Sequence, residues 1–192
     1  MLKQFGIGLT MMLLAVPAMA QWELDSKQSS LNFISIKNNA IAETHSFSSL
    51  MGYVSADGNA QVSVNLDSVQ TLIPIRNERM REMLFDTDSF PTATVSAAID
   101  PAILEVVSEG GSVSTELSLK LSLHGIEKAL PAAVLVIGEG SRLRVVTRRP
   151  IVLSAADFGL DGGLQALREV AGLKSISTAV PVTFSLQFDF VE

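Results

Sequence analysis

Two histidines are the residues of this 192-residue chain best suited to acid–base chemistry. His45 occurs in AETHSF and His124 in SLHGIE, and the chain has no Gly-x-Ser-x-Gly nucleophile motif for either to serve. Catalysis would require a carboxylate or an arginine to converge on one of them in a pocket. A metal site would need three or more converging ligands. The sequence therefore favours polar side chains at strand ends, and it predicts neither catalytic residues nor a metal site.

Other motifs that carry chemistry are missing from the sequence. The chain has no cysteine, which excludes disulfides, a thiol nucleophile and a thiolate metal site. Asp86 and Asp88 flank Thr87, but the spacing lacks the glycine and the distal glutamate of a helix-loop-helix calcium site. We interpret them as turn and capping residues. No phosphate-binding or dinucleotide-binding glycine motif is present, so no cofactor is predicted.

The chain is acidic, with a formal net charge of −6. This balance argues against a nucleic-acid partner, because a phosphate backbone attracts basic proteins. Arginines do cluster locally, within residues 76–81 and within residues 142–149. Either cluster has the chemistry to hold one anionic headgroup, and either is equally consistent with solvated surface arginines.

Residues 1–20, MLKQFGIGLTMMLLAVPAMA, have the pattern of a secretory signal peptide. Lys3 precedes an apolar run, and Ala18-Met19-Ala20 forms a small-residue cleavage site. The apolar run is shorter than the roughly 20 residues of a membrane span, which disfavours an uncleaved anchor. Cleavage after Ala20 would leave one domain, residues 21–192, with no stable membrane insertion.

Most of the remaining sequence alternates between apolar and polar residues, as half-buried strands do. The alternation is clearest in SVSTELSLKLSL (112–123) and in AVPVTFSLQFDF (179–190). Eight shorter segments repeat it, and turn signals such as Asp57-Gly58 and Gly110-Gly111 separate many of them. In SLNFISIK the apolar parity switches between Phe33 and Ile34, which predicts a bulge or a bend. About eight to ten strands joined by short turns indicate an all-β sandwich or barrel.

Two segments break the strand pattern. From Asn77 to Phe85 the apolar residues Met80, Met83 and Leu84 recur at i, i+3 and i+4, which predicts a short amphipathic helix. FGLDGGLQALREV, residues 158–170, predicts a second. A barrel of this size either encloses a small apolar ligand or is filled by its own side chains, and the periodicity leaves both open.

The order of motifs resembles the YceI-like family of bacterial periplasmic proteins along the whole mature chain. The resemblance rests on Trp22-x-Leu24-Asp25, on LDSVQTLIPIRNERMREMLFDTDSFPTATV, on LSLKLSLHGIEKAL, on LSAADFGL and on VPVTFSLQFDF. One departure is Gln28, which stands where many relatives carry histidine. Any role of that histidine in relatives therefore cannot be transferred.

The resemblance implies an extended, antiparallel, lipocalin-like β-barrel of about eight strands with one or two short helices. It also implies a non-enzymatic periplasmic carrier whose interior holds a long apolar ligand, such as a polyisoprenoid, an isoprenoid quinone or a fatty amide. We expect the apolar wall to consist of Phe33, Ile36, Phe47, Met80, Met83, Leu84, Phe85, Phe90, Phe158, Phe184, Leu186 and Phe188. Weaker candidates for polar contacts to the ligand are His45, Asn77 and Arg79.

Two other interpretations compete with the carrier. A structural or stress-related interaction protein would have a filled barrel and an exposed apolar patch on the face formed by residues 75–90. An enzyme would need one of the histidines in a pocket with its partners. The sequence leaves homodimerisation and the identity of the ligand open.

Overall fold

The computed structural model describes residues 21–191, so the predicted signal peptide, residues 1–20, lies outside the described residues. Almost all of the regular structure is β-strand. The strands are β1 (Gln21–Leu24), β2 (Ser30–Lys37), β3 (Ile41–Phe47), β4 (Leu50–Ser55), β5 (Asn59–Asn65), β6 (Val69–Gln70), β7 (Thr92–Ala98), β8 (Ser112–Leu123), β9 (Ile126–Glu139), β10 (Arg142–Thr147), β11 (Ile151–Ser154) and β12 (Ala179–Val191).

These segments form one closed antiparallel barrel of eight strands. Four of the eight barrel strands are each divided into two labelled segments by a few intervening residues. These four are β1 with β2, β3 with β4, β5 with β6, and β10 with β11. Closure comes from β12, which pairs with β10 and β11 on one side and with β1 and β2 on the other. Closing the sheet removes its free edges. The predicted all-β antiparallel barrel is confirmed, and the sandwich is excluded.

The bulge predicted between Phe33 and Ile34 is wrong. β2 pairs with β3 in one unbroken register, from Asn32 opposite Ser46 to Lys37 opposite Ile41. Because a regular strand keeps period-2 alternation, the residues that share the inward face with Phe33 are Ser35 and Lys37. The isoleucines of SLNFISIK therefore lie on the outer face.

Three short helices occur in the described part of the chain, against the one or two predicted. They are α1 (Pro74–Arg79), α2 (Pro101–Ser108) and α3 (Asp161–Val170). The sequence interpretation missed α2, although its start carries a recognisable signal. The side chain of Asp100 caps the backbone N–H of Ala102, and Pro101 occupies the first helical position. No helix among residues 21–191 is long and apolar enough to cross a membrane.

The helix predicted from Asn77 begins earlier, at Pro74, and changes character before it ends. Residues Met80–Phe85 form a π-helical turn, which Asp86 ends in the left-handed conformation with a φ of 46°. A π-turn is wider than an α-turn, because its hydrogen bonds join residues five apart. The buried residues are consequently Met80, Leu84 and Phe85, at i, i+4 and i+5.

The two ends of the barrel differ, and we call them the base and the mouth. The base carries α2, which packs against β9 so closely that a Cβ on Gly138 would lie 1.6 Å from the carbonyl oxygen of Val107. Val134 and Val136 of β9 are fully buried towards this end, so the interior is packed around them. The mouth is surrounded by α1, the β2–β3 turn, and the C-terminal end of α3 with the segment 171–177.

Candidate functional site

The barrel encloses a cavity of about 510 Å³ that extends from the mouth towards the base. This volume lies in the range of about 300–1,000 Å³ that is typical of small-molecule sites. The interior is therefore hollow at the mouth end, and the hypothesis of a completely filled barrel is not supported. Most of the lining is apolar, and the strands, the π-turn and α3 all contribute to it.

Regular alternation on the strands supplies the apolar wall. Every second residue of β8 from Leu117 to Leu123 faces the cavity, and so does every second residue of β12 from Val180 to Phe188. Val182 and Phe184 point inward yet are only half-buried, which shows that they border open space rather than packed neighbours. These two strands supply the long alternating faces that the sequence predicted.

A row of aromatic side chains connects β2, β3 and the π-turn. The ring centroids of Phe33 and Phe47 are 5.4 Å apart, and those of Phe47 and Phe85 are 5.9 Å apart. Such separations are those of favourable tilted aromatic pairs. The row continues from Phe33 to His45, whose centroid is 5.2 Å away. It therefore leads from the apolar lining to a polar group.

The polar group, which we call the polar end, consists of Ser35, Lys37, Glu43, His45 and Arg76. Glu43 Oε2 accepts hydrogen bonds from Lys37 Nζ and Arg76 Nη1, both at 2.8 Å. Ser35 Oγ lies 2.8 Å from His45 Nε2. All five side chains line the cavity at or near the mouth. The strand alternation that places Phe33 and Phe47 inside also places these polar residues inside.

His45 is a neutral side chain at neutral pH. It is only 3% exposed, and burial lowers its pKa below the usual 6.5. The positive charge of Arg76 lowers this pKa further, whereas the negative charge of Glu43 opposes the shift. The hydrogen bond from Lys37 holds the pKa of Glu43 below its usual 4.5, with a further contribution from Arg76. The polar end thus combines an ionised carboxylate, two cations and a neutral imidazole.

Two buried nitrogens of the polar end have no hydrogen-bond partner among the described residues. They are His45 Nδ1 and Arg76 Nε. Leaving a buried polar atom unpaired costs about 1–3 kcal/mol, so such atoms need an explanation. Both belong to side chains that line the cavity, and because the two atoms are themselves buried, a ligand group would reach them only after a small side-chain movement.

Arg79 adds a further cation to the cavity lining. It is half-buried on α1, and its guanidinium makes no hydrogen bond or ion pair within residues 21–191. Together with Lys37 and Arg76 it gives the lining three cations against the single carboxylate of Glu43. The lining therefore carries an excess of positive charge, although the chain as a whole is acidic.

Most of the residues predicted for the ligand site line the cavity; whether they contact a ligand stays a prediction. Apolar members of the predicted set on the lining are Phe33, Phe47, Met80, Leu84, Phe85, Phe158, Phe184, Leu186 and Phe188. Among the polar candidates, His45 and Arg79 also line it. The structure brings these residues together from β2, β3, α1, the π-turn, the 3₁₀ turn Ala155–Phe158 and β12.

Ile36 and Met83 do not line the cavity, contrary to expectation. Ile36 lies on the outer face of β2, because the strand has no bulge to turn it inward. Met83 is directed away by the wide π-turn, which brings Phe85 inward instead. The backbone of Met83 packs against α3, where a Cβ on Gly163 would lie 2.5 Å from the Met83 carbonyl oxygen.

Phe90 and Asn77 also lie off the lining. The ring of Phe90 packs on His124, with the centroids 4.4 Å apart, and so covers the turn between β8 and β9. Asn77 has a structural role, because its Oδ1 accepts hydrogen bonds from Thr71 N at 2.9 Å and from Thr71 Oγ1 at 2.6 Å. These bonds fix the segment that leads into α1.

The sequence interpretation missed much of the polar end, namely Ser35, Lys37, Glu43 and Arg76. Strict alternation from Phe33 would have placed Ser35 and Lys37 on the cavity side. The apolar residues Ile34 and Ile36 suggested instead that the inward face changes after Phe33. Glu43 shares its parity with His45 and Phe47, so the same rule would have found it. No local pattern distinguishes Arg76 from the other arginines of α1 and the π-turn.

The geometry also bears on the enzyme hypothesis. His45 does share the cavity with Ser35, Glu43 and Arg76, but Glu43 is engaged by two cations and the Nδ1 atom of His45 has no carboxylate partner. A triad that orients the imidazole is therefore not assembled. His124 adopts a left-handed conformation in the β8–β9 turn, away from the cavity. Within residues 21–191 no cluster of three or more metal-ligating side chains occurs.

Residues 22–188 match the YceI-like domain. A solved polyisoprenoid-binding domain from Saccharophagus degradans, implicated in plant cell wall breakdown, is similar, with 37% sequence identity and a TM-score of 0.84. The match covers 88% of this chain and 97% of that one. No curated protein sequence matches the chain.

More distant structures share the fold. Burkholderia cenocepacia BcnA is 19% identical with a TM-score of 0.67, and the match covers 85% of this chain and 98% of that one. A YceI protein variant from Campylobacter jejuni is 12% identical with a TM-score of 0.57, over 77% and 85% of the two chains. The barrel is therefore retained at low sequence identity.

Proposed function

The chain belongs to the YceI-like family, and we propose from this premise that it is a non-enzymatic carrier of a long apolar ligand held inside the barrel. The observation that carries the proposal is the apolar cavity of about 510 Å³, which opens at one end of the barrel. The similar domain from Saccharophagus degradans is described as binding a polyisoprenoid. A polyisoprenoid, an isoprenoid quinone or a fatty amide would suit such a cavity.

Burial of the ligand chain would supply most of the affinity. Each CH₂ group transferred from water to an apolar environment contributes about 0.8 kcal/mol, and the alternating faces of β8 and β12 provide such an environment. Because Val182 and Phe184 already border open space, the protein would not need to unpack its core to admit a chain. A cavity that is formed beforehand reduces the ordering cost of binding.

The polar end would fix the orientation of the ligand. Within residues 21–191, His45 Nδ1 and Arg76 Nε have no hydrogen-bond partner, and Arg79 lines the cavity without one. A carbonyl, hydroxyl or anionic group at the end of the ligand would bind the Arg79 guanidinium directly and would reach the two buried nitrogens after a small movement of their side chains. The apolar chain would extend towards the base. A few convergent polar groups in an apolar pocket are typical of sites that select one end of a ligand.

Native mass spectrometry of the protein, followed by solvent extraction, tests the proposal. We expect a stoichiometric adduct that releases a quinone, a polyprenyl compound or a fatty amide. A protein that shows only its bare mass, before and after incubation with each of these lipids, would contradict the carrier function. In that case an interaction protein would become the better interpretation.

A matched pair of variants connects the adduct with the cavity. Val182→Trp would fill part of the cavity and should abolish the adduct. Val152→Trp places the same side chain on the neighbouring strand at a position that is exposed and off the cavity lining, so it should leave the adduct unchanged. Equal loss in both variants would mean that the ligand is bound somewhere else.

The carrier would act in the periplasm. This part of the proposal rests on the signal-peptide pattern of residues 1–20 and on the family resemblance. Intact-mass measurement of the exported protein should give a chain that begins at Gln21. A mature protein that retains residues 1–20 would instead indicate an anchored form.

A further inference from the structure

The mouth of the cavity is bordered by exposed apolar side chains on two sides. Among the described residues that line the cavity, those that are also exposed are Ile73, Ile75, Val170 and Ala171. Ile73 precedes α1 and Ile75 lies in its first turn, whereas Val170 is the last residue of α3 and Ala171 follows it. Ile73, Ile75 and Val170 are 43%, 51% and 45% exposed, respectively. Exposed apolar side chains that are grouped around one opening, rather than scattered singly, are typical of an interaction site.

Leu72 extends this apolar border outward. Its side chain is 92% exposed, and its φ is 64°, a left-handed conformation that leucine rarely adopts. The segment is nevertheless anchored. Thr71 is buried and bonded to Asn77, and Arg76 Nη2 donates a hydrogen bond to the Thr71 carbonyl oxygen at 2.5 Å. The backbone therefore holds Leu72 in solvent rather than allowing it to fold back.

Positive charge lies beside the same border. Lys37, Arg76 and Arg79 line the cavity near its mouth, whereas Glu43 is the only carboxylate of the lining within residues 21–191. On the helices themselves, Glu78 of α1 is exposed, and Glu169 of α3 is 3.5 Å from Arg168. The mouth thus joins an apolar border to local cations on a protein whose overall charge is negative.

We propose that the apolar border of residues 72, 73, 75 and 170, with the adjacent cations, docks the mouth onto the surface of an anionic phospholipid bilayer. Exposed apolar side chains beside basic residues are the combination that binds at a lipid interface, because the former enter the headgroup region and the latter attract anionic lipids. Charge complementarity and continuity with the cavity favour a bilayer over a protein partner. Docking would let an apolar ligand leave the membrane without crossing water, and this purpose rests on the proposed carrier function.

Sedimentation of the mature protein with vesicles tests the docking. The vesicles consist of phosphatidylcholine alone or of phosphatidylcholine mixed with phosphatidylglycerol. We expect binding to the anionic vesicles, weaker binding to the neutral ones, and a loss of binding as the salt concentration rises. Equal or absent binding to both kinds of vesicle would overturn the proposal.

Leu72→Asn is the most informative variant. Asparagine tolerates the left-handed conformation, so the folded protein should not be destabilised, and Leu72 is not part of the cavity lining. Vesicle affinity should fall about tenfold, because a leucine side chain contributes at least about 1.5 kcal/mol when it is buried. Met51→Ser is the matched control, since Met51 is also highly exposed but lies on β4, off the cavity lining. An equal loss in the control would overturn the assignment of the mouth.

Arg79→Gln tests the electrostatic contribution to membrane docking. We expect the affinity for anionic vesicles to fall about fivefold, because one basic residue near such a surface contributes about 1 kcal/mol. Affinity for neutral vesicles should not change. The carrier function and the membrane docking can fail separately. A ligand adduct in the cavity without vesicle binding would support the carrier function and overturn the docking. Cross-linking from position 72 to another protein, in the absence of vesicle binding, would replace the bilayer by a protein partner.

Discussion

The two sides of the cavity that contain β2 and β8 differ in chemistry. These strands lie opposite each other, because four steps separate them around the eight-stranded ring. β8 presents only leucines to the cavity from Leu117 to Leu123. β2 presents Leu31 and Phe33, and then Ser35 and Lys37. We call these the apolar wall and the polar wall.

The difference shows what strand alternation can and cannot specify. On both walls every second residue faces inward, so geometry alone gives no preference for apolar side chains. The apolar wall follows the common rule that inward residues are apolar. The polar wall departs from it because the carboxylate of Glu43 pairs with Lys37 and Arg76 and so offsets part of their charge. A mixed wall is therefore a signature of a binding site rather than of a packed core.

Introducing the same charge on each wall should give the largest difference in the free energy of unfolding between the two walls. Leu119→Asp should lower the free energy of unfolding by at least about 5 kcal/mol, because it removes a buried leucine and leaves a carboxylate without a partner. Ser35→Asp should cost only about 1 kcal/mol, because surface-like ion pairing with the nearby cations offsets desolvation. Urea denaturation measures both. Equal losses would show that the two walls are not distinct environments.

Truncation tests the parity of β2. Phe33→Ala should cost about 3 kcal/mol, as expected for a buried aromatic side chain. Ile36→Ala should cost about 1 kcal/mol, because Ile36 is half-buried on the outer face. A larger effect at Ile36 than at Phe33, measured by the same denaturation method, would contradict the register of β2.

The stability should also depend on pH through His45. Burial lowers the pKa of His45 in the folded state below the usual 6.5, so the unfolded chain binds this proton more readily. The free energy of unfolding should therefore fall as the pH drops through 6.5 towards the lowered value. His45→Gln should flatten the dependence in this window. Glu43 acts separately, because its stabilisation is lost only below its usual pKa of 4.5. An unchanged slope in the variant would exclude His45 as the cause.

The smallest difference in stability is expected between the losses of two ion pairs. Lys37→Met, on the polar wall, should cost about 0.5–1 kcal/mol, because the Lys37–Glu43 pair is only partly exposed. Lys120→Met removes the more exposed Lys120–Glu127 pair from the outer surface and should change the stability by less than about 0.5 kcal/mol. Thermal unfolding at low and at high salt distinguishes the two. Salt should reduce the loss of stability caused by Lys120→Met by the larger fraction. A larger fractional reduction for Lys37→Met would contradict the difference in exposure.

The alternating segments were sufficient to predict an all-β fold of antiparallel strands, since 112–123 and 179–190 can bury only one face, whereas the choice of a barrel over a sandwich came from the family resemblance. They also predicted the inward leucines and phenylalanines. The polar wall was harder to predict, because Ile34 and Ile36 are apolar but face outward. The π-turn could not be foreseen from the spacing of Met80 and Leu84, because a change of helical pitch depends on tertiary packing. Arg76 joins the site through its long-range contact with Glu43, which no local sequence pattern indicates.

Barrel closure by β12 has a consequence for how the chain folds. This strand pairs with β1 and β2, which lie roughly 150 to 170 residues earlier in the chain. Contacts between such distant segments slow folding, because the intervening chain must lose its entropy before they form. We therefore expect a slow final step in which β12 enters between β10 and β1. Until that step the side of the cavity that β12 forms is missing. The ability to bind a ligand should therefore appear only when β12 completes its pairing.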